Sequence, residues 1–171
     1  MDLMFLSFDN YLDNYKPSIE KYLFDKCLVD DEGCSLINCG LIKTKYEDEF
    51  CKTEKIRIFD NLFSCNGTIL DFDSIKEQID SNKCKGYFFH LCGDLIGSAD
   101  IAVYGEFIYL MNFGIVDDFR GVGIGKLFLK SLIDDAIKEF GDRYDGIHLT
   151  VRDGNFVAKS LYNSFGFTQK L

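Results

Sequence analysis

The segment from Ile108 to Phe140, IYLMNFGIVDDFRGVGIGKLFLKSLIDDAIKEF, constrains the fold of this chain most strongly. It opens with a largely apolar stretch of strand length, Ile108–Val116. After the glycines, apolar residues recur on one broad face at 3.6 residues per turn, which predicts a helix ending at Gly141. These residues are Ile124, Leu127, Phe128, Leu132, Ile133, Ala136, Ile137 and Phe140. The glycine-rich loop therefore lies at a strand-to-helix junction, where such a loop indicates ligand binding.

This loop has the properties of an anion site. Glycine has no Cβ, so the backbone can approach a ligand closely or take φ > 0 at little cost. The first N–H groups of the following helix have no partner within it, and the helix dipole adds positive potential. An ordinary tight turn is the alternative, but three glycines in five residues favour a phosphate or pyrophosphate site. The expected binding residues are Arg120, Gly121, Val122, Gly123, Ile124, Gly125 and Lys126.

The spacing of the glycines excludes two common phosphate loops. A Walker loop needs Gly where Arg120 stands and Ser or Thr where Leu127 stands. A dinucleotide fingerprint beginning at Gly121 needs Gly or Ala in place of Lys126. The pattern that fits is Arg-x-x-Gly-x-Gly, and with it the chain resembles the GCN5-related N-acetyltransferase (GNAT) family. In that family the signature Gln/Arg-x-x-Gly-x-Gly/Ala wraps the pyrophosphate of acetyl-coenzyme A.

A second motif supports the resemblance. The segment NFVAKSLYNSFGF, beginning at Asn155, matches the family element Asn-x-x-Ala-x-x-x-Tyr-x-x-x-Gly-Phe at the expected distance after the glycine loop. The resemblance covers roughly residues 85–171. It implies an α/β (α+β) fold whose mixed sheet is largely antiparallel, contains one splayed parallel strand pair, and is flanked by helices on both faces.

Periodicity in the second half predicts the elements of that fold. The segments Gly86–Cys92 and Leu95–Tyr104 read as a hairpin around Gly93-Asp94. Asp145–Arg152 is predicted to be a strand parallel to Ile108–Val116, because a strand–helix–strand crossover is right-handed. A short helix over Asn155–Phe165 and a last strand from Phe167 complete the prediction.

The first 84 residues are poorly readable, and we interpret them as an atypical N-terminal extension of a single domain spanning residues 1–171. Their patterns predict a helix over Lys16–Leu28, a short strand within Cys34–Lys43, a strand over Lys55–Asp60 and a polar helix over Asp73–Ser81. Family members normally continue past Gly-Phe through a long strand and one more strand, whereas this chain stops five residues after Gly166. The last strand is then missing, or another part of the chain or a second subunit supplies it, so a homodimer is one expectation.

The resemblance also implies residue roles. Phe113, Gly114 and Ile115 would pair with the pantetheine arm, with Gly114 allowing a bulge and the Ile115 amide directed at the acetyl carbonyl. Asn155 would contact the coenzyme, and the Tyr162 hydroxyl would protonate the leaving thiolate. The alternative for Phe113, Ile115 and Tyr162 is simple packing.

No residue is identified as the general base. Relatives that acetylate ribosomal-protein N-termini have Glu at the position of Thr150, which cannot serve. Four carboxylates lie near the right region, and each is interpreted as a solvated strand-end charge: Asp100, Glu106, Asp117 and Asp118. A water chain to bulk solvent is an equally good route for the proton.

The composition limits the classes of partner that the protein is expected to bind. The net charge of −9 argues against nucleic-acid and membrane binding. It favours either a cationic small partner or solubility alone, and solubility is sufficient to explain it. No apolar run reaches the ~18 residues of a membrane span. The seven Cys form no C-x-x-C pair and, without a signal peptide, predict reduced thiols within the core of a cytoplasmic protein. With only two His in the chain, no metal site is predicted, although His90 and Cys92 would share a strand face.

These observations lead to one main functional hypothesis and two alternatives. The chain is expected to be an acyltransferase that moves the acetyl group of acetyl-coenzyme A to a primary amine in a ternary complex. The acceptor would be a small molecule or a peptide amine. A non-catalytic acyl-coenzyme-A-binding module and a purely structural domain are the alternatives.

Overall fold

A seven-stranded sheet organises the chain in the computed structural model, which describes residues 1–45, 47–63, 73, 76–77, 80–81 and 83–171. The strands are β1 Asp2–Ser7, β2 Cys39–Lys43, β3 Cys84–Leu91, β4 Asp94–Tyr104, β5 Phe107–Ile115, β6 Gly146–Val151 and β7 Thr168–Gln169. The helices are α1 Phe8–Asn10, α2 Lys16–Asp25, α3 Glu49–Phe63, α4 Ile124–Phe140 and α5 Phe156–Ser164. A π-helical turn, Tyr11–Tyr15, joins α1 to α2, and a 3₁₀ turn, Asp117–Phe119, precedes the glycine loop.

The strand order is β2-β3-β4-β5-β6-β1-β7, and every pair is antiparallel except β5–β6. This mixed sheet, covered by helices, confirms the predicted fold class. The predicted hairpin is β3–β4, and the predicted parallel pair is β5–β6. Backbone pairing of β5 with β6 is confined to Tyr109 and His148, so the two strands separate beyond that point. This separation is the splay that the family fold implies.

The N-terminal strand β1 completes the far side of the sheet. It lies between β6 and β7, with Asp2 opposite Val151 and Met4 opposite Gln169. Met4 and Leu6 are buried on its inner face. Of the alternatives left open by the short C-terminus, another part of the same chain therefore supplies a strand. The homodimer stays a prediction, because β1 provides this strand without a second subunit.

Helices α4 and α3 cover opposite faces of the sheet. The ring of Phe128 on α4 packs against Phe89 and Phe113, with centroids 4.9 and 5.1 Å away. On the other face, the side chain of Leu62 on α3 lies where a Cβ on Gly114 would stand. The predicted strand over Lys55–Asp60 is wrong, because these residues form the middle of α3.

Other predictions for the first half had mixed outcomes. A helix within Lys16–Leu28 and a strand within Cys34–Lys43 are confirmed as α2 and β2, while much of the predicted helix Asp73–Ser81 lies outside the described residues. The six cysteines that the structure describes are free thiols, and Cys84 is buried. The prediction of core cysteines is wrong for three exposed ones, Cys27, Cys34 and Cys92. Two of them have positive φ, 58° and 51°, which places them in turns. Within the described part of the chain, no helix is both long and apolar enough to span a membrane.

We expect Leu6→Ala to destabilise the protein by about 2–5 kcal/mol, because Leu6 is fully buried and its truncation leaves a cavity. Leu3→Ala is the matched control, since Leu3 lies on the outer face of the same strand and is only partly buried. The free energy of unfolding is measured with guanidinium chloride. Equal losses in the two variants would contradict the placement of β1 in the core.

Candidate functional site

The outer edge of β5 is open where the sheet splays. The Val116 N–H donates to the Ile96 carbonyl at 2.9 Å, and Gly114 lies opposite Ser98. Because successive residues of a strand direct their backbone groups to opposite sides, the N–H and carbonyl of Ile115 point away from β4. Arg120 Nε donates to that carbonyl at 2.8 Å, which leaves the Ile115 N–H on the open edge.

A bulge in β5 precedes this open edge. The pairing with β4 shifts register between Ser98 and Asp100, and Asn112 has a φ of 53°. The expectation that Gly114 permits the bulge is therefore wrong, because Asn112 carries the left-handed conformation. Gly114 serves packing instead, since a Cβ there would stand 2.5 Å from a Leu62 methyl group.

The glycine loop presents a row of unpaired backbone donors. Gly121 and Gly123 have φ of 82° and 88°, which favours glycine at both positions. Gly123 is the N-cap of α4, where no side chain caps the helix, and the first helical bond runs from Leu127 N–H to the Gly123 carbonyl. Among the described residues, no backbone carbonyl accepts from the N–H groups of residues 121–126. These donors and the positive end of the α4 dipole form a site suited to a phosphate.

The two basic residues that flank the glycines are held differently. Arg120 is turned back onto the loop, where it also contacts Asp117 with 2.7 Å between Nη1 and Oδ1. The Lys126 ammonium lies 4.0 Å from the ring centroid of Tyr22 on α2. Leu28 and Tyr22 also pack at the Cα of Gly123, so the N-terminal segment forms one wall of the loop.

Tyr162 on α5 faces the splayed strands from the α4 side of the sheet. Its ring lies 6.2 Å from Phe113 and 5.6 Å from Phe167, measured between centroids. The residue is 7 % exposed, and burial raises the pKa of its phenol far above the usual value. The hydroxyl therefore stays protonated at neutral pH and is able to donate a proton to a nearby anion.

Asn155 occupies the N-cap of α5. Its side-chain Oδ1 accepts from the Ala158 N–H at 3.2 Å, which stabilises the first turn of the helix. Asn155 and Tyr162 thus belong to one short helix that begins just after the C-terminal end of β6. Val122 is exposed in the loop, whereas Ile124 is buried beneath it.

The structure changes the interpretation of the four carboxylates that were considered as the general base. Asp100 is not a solvated strand-end charge, because it is 2 % exposed and lies 3.1 Å from the Lys55 ammonium. Glu106 follows Gly105 in the β4–β5 turn, roughly 25–30 Å from Ile115 at ~3.3 Å per residue. Asp117 and Asp118 are exposed, and Asp117 pairs with Arg120. No described group of three or more His, Cys, Asp or Glu residues is arranged to hold a metal ion.

Sequence reasoning missed three residues around the site. Lys55 lies in a helical stripe with Ile58 and Phe59, a spacing that would have indicated a buried position. Tyr22 belongs to no sequence motif. For Asn112 the sequence offered only the weak indication that Asn tolerates positive φ. His148 is also buried, and burial and then Lys170 lower its pKa, so its imidazole is neutral at pH 7.

Comparison with known proteins identifies the family. The sequence model of the Acetyltransferase (GNAT) family matches residues 54–167, from within α3 to the residue before β7. The chain therefore belongs to the GNAT acetyltransferase family, as the two motifs predicted. GNAT acetyltransferases use acetyl-coenzyme A as their acyl donor, and the family is one of acyltransferases.

The chain is also similar in sequence to a characterised acetyltransferase over part of its length. The spermine/spermidine N(1)-acetyltransferase of Bacillus subtilis (strain 168) is 31 % identical over 83 residues, or 44 % of this chain and 53 % of that protein. The chain thus matches about half the length of this relative.

Solved structures share the fold. A protein from Clostridium acetobutylicum described as a predicted acetyltransferase, solved with acetyl-CoA, has a TM-score of 0.58 at 17 % identity, over 77 % of this chain and 91 % of that chain. The ribosomal-protein-S18-alanine N-acetyltransferase from Escherichia coli has a TM-score of 0.60 at 19 % identity, over 78 % and 79 % of the two chains. At sequence identities this low, the structural similarity establishes the shared fold alone.

If Tyr162 is the proton donor, we expect Tyr162→Phe to lower kcat by roughly 10²-fold or more while thermal stability holds. Because its pKa is raised, the Tyr162 phenol also stays protonated up to about pH 10. Its ionisation should therefore not lower the wild-type kcat at any pH below that value. Steady-state rates across pH check both points, with Tyr144→Phe, whose ring packs on Phe140, as the control. An unchanged kcat in Tyr162→Phe would leave Tyr162 a packing residue.

Proposed function

We propose that this protein is an N-acetyltransferase that moves the acetyl group of acetyl-coenzyme A to a primary amine by direct attack in a ternary complex. One observation carries the proposal: the open Ile115 N–H lies at the end of β5, and the unpaired donors of residues 121–126 follow within the same connection to α4. A ligand with a pyrophosphate at one end and a thioester carbonyl at the other matches this arrangement. Family membership supports the same co-substrate.

The residues fit the coenzyme in three places. The pyrophosphate binds the N–H groups of residues 121–126 at the positive end of α4. The pantetheine arm lies along the open edge of β5 at Phe113–Ile115, where β6 has separated. Tyr162 approaches the thioester sulfur from α5, and Asn155 fixes the start of that helix.

The chemistry follows from these positions. The ammonium of the acceptor first loses a proton to water, the neutral nitrogen then attacks the thioester carbonyl carbon, and negative charge develops on the carbonyl oxygen. The Ile115 N–H donates to that oxygen. The carbon–sulfur bond then breaks, Tyr162 gives its proton to the departing thiolate, and the acetylated nitrogen loses its extra proton to water. The tyrosinate regains its proton from solvent.

A cationic amine is the acceptor that we favour. The net charge of −9 attracts cations over the whole surface. The relative from Bacillus subtilis is named for spermine and spermidine, which are polyamines. The acidic run Asp30–Glu32, however, lines a cavity of about 280 Å³ with Glu20 on α2, next to the segment that packs on the glycine loop. We base the cationic assignment on the net charge and not on this run.

A second candidate function is a non-catalytic acyl-coenzyme-A-binding module. It is favoured by the placement of two of the four candidate carboxylates, because Asp100 is ion-paired inside the protein and Glu106 lies at the wrong end of β5. Turnover with a panel of amines separates the two functions. Binding of acetyl-coenzyme A without turnover of any amine supports the module.

We expect Gly125→Asp to weaken acetyl-coenzyme A binding at least ~10-fold, because a carboxylate would stand among the phosphate-binding donors. A Cβ at Gly125 meets no atom closer than 4.0 Å, so the side chain fits, and an acidic residue in the first turn favours the helix. Gly125→Asn is the control of equal size without the charge. Calorimetry that gives Gly125→Asp the wild-type Kd would place the coenzyme elsewhere.

The KM for the acceptor is expected to rise between low and physiological ionic strength while kcat changes little. A negative field concentrates a cationic amine near the protein, and salt screens that field. Initial rates with spermidine across a salt series give the measurement, and a neutral primary amine is the control. A preference for neutral or acidic acceptors, or a KM indifferent to salt, would overturn the cationic assignment.

A further inference from the structure

We propose that Lys55, Asp100 and Asn112 form a buried positioning network that sets the direction of the Ile115 N–H. The inference rests on the proposed function, since that N–H is the donor to the acetyl carbonyl. None of the three residues would touch the coenzyme itself. They act through the bulge in β5, and they link α3 to the two strands beneath it.

Lys55 is the centre of the network. Its ammonium donates to Ser98 Oγ at 2.7 Å and to three further oxygens, each at 3.1 Å. These are the backbone carbonyls of Tyr87 and Ala99 and the Oδ1 of Asp100. Its side chain is 2 % exposed, so a single cation from α3 ties β3 to β4 inside the protein. A charge this deep persists only when it is paired and hydrogen-bonded.

Asp100 connects the Lys55 ammonium to β5. Its Oδ1 faces Lys55, and its Oδ2 accepts from Asn112 Nδ2 at 2.9 Å. Asn112 is the residue with φ of 53°, and it lies where β4–β5 pairing shifts register. The side-chain amide of the bulged residue is therefore held by a carboxylate that is itself held by an ammonium.

The position of this bulge determines which amides reach the open edge. Backbone N–H groups alternate between the two sides of a strand, and one extra residue reverses that alternation for everything after it. In β5 the bulge consists of Asn112 and Phe113, which lie together opposite Ala99, and Ile115 consequently directs its N–H away from β4. If the bulge moved or relaxed, the Ile115 N–H would turn away from the acetyl carbonyl and the Ile115 carbonyl would turn away from Arg120, while the backbone donors of residues 121–126 would stay in place.

Asn112→Gly is the most direct test, because glycine keeps the left-handed conformation and removes only the side-chain amide. We expect kcat to fall at least ~10-fold, while the Kd for acetyl-coenzyme A rises by a smaller factor because the donors of residues 121–126 still hold the pyrophosphate. Cys92→Gly is the matched control, since Cys92 also has a positive φ, 51°, but lies in the exposed β3–β4 turn. Its kcat should equal that of the wild type.

Two further measurements separate positioning from mere stability. The carbonyl stretch of bound acetyl-coenzyme A labelled with carbon-13 at the carbonyl reports hydrogen bonding to that oxygen. The wild type should lower its frequency more than Asn112→Gly does. Asp100→Asn should act through Asn112, so the kcat losses of Asp100→Asn and Asn112→Gly should be less than multiplicative when combined.

A last measurement does not depend on activity. In the ligand-free protein, hydrogen exchange at the Gly114 amide should be faster in Asn112→Gly than in the wild type, because β4–β5 pairing after the bulge loosens. Unchanged exchange, or a variant that loses thermal stability with normal kcat and carbonyl frequency, overturns the network. A wild-type protein that binds acetyl-coenzyme A but acetylates no amine instead overturns the proposed function, and the exchange and infrared results then decide the network alone.

Discussion

The ion pair between Lys55 and Asp100 is the interaction on which the sheet and its open edge depend. The desolvation of two charges costs several kcal/mol, and the geometry offsets this because each charge also makes further hydrogen bonds within the protein. Removal of one partner would leave an uncompensated buried charge, which is far more costly than removal of both. One pair therefore fixes how α3 sits on the sheet and where β5 departs from regular pairing.

The second half of the fold could be predicted because its signals agree across levels. Helix periodicity in α4, the turn at Gly93-Asp94 and the two motifs all indicate one architecture. The first half lacked such agreement. The residues Leu3, Met4, Phe5 and Leu6 of β1 are all apolar, so no alternation marks a strand. In α3 the buried Lys55 reads as polar and turns a helical stripe into apparent alternation.

The part of the candidate site that consists of backbone donors could be predicted from the sequence. The part that depends on the direction of side chains could not. Glycines before a helix indicate unpaired donors whatever surrounds them, and the structure has such donors at the predicted loop. The orientation of Arg120 depends on the Ile115 carbonyl, which a sequence pattern does not encode. The contact of Tyr22 with Lys126 joins residues far apart in the chain, so only the assembled fold reveals it.

The place of β1 in the sheet has a consequence for how the chain folds during synthesis. This strand is synthesised before its partners β6 and β7, which follow β2, β3, β4 and β5 along the chain. Until they appear, an apolar segment with two unpaired edges stays available for wrong pairing or aggregation. Such distant pairing carries a high loop-closure cost, which slows folding relative to a chain whose neighbouring strands are consecutive. Closure of the sheet therefore waits for β6 and β7, and the splayed β5–β6 pair gains its full support only after both strands have been made.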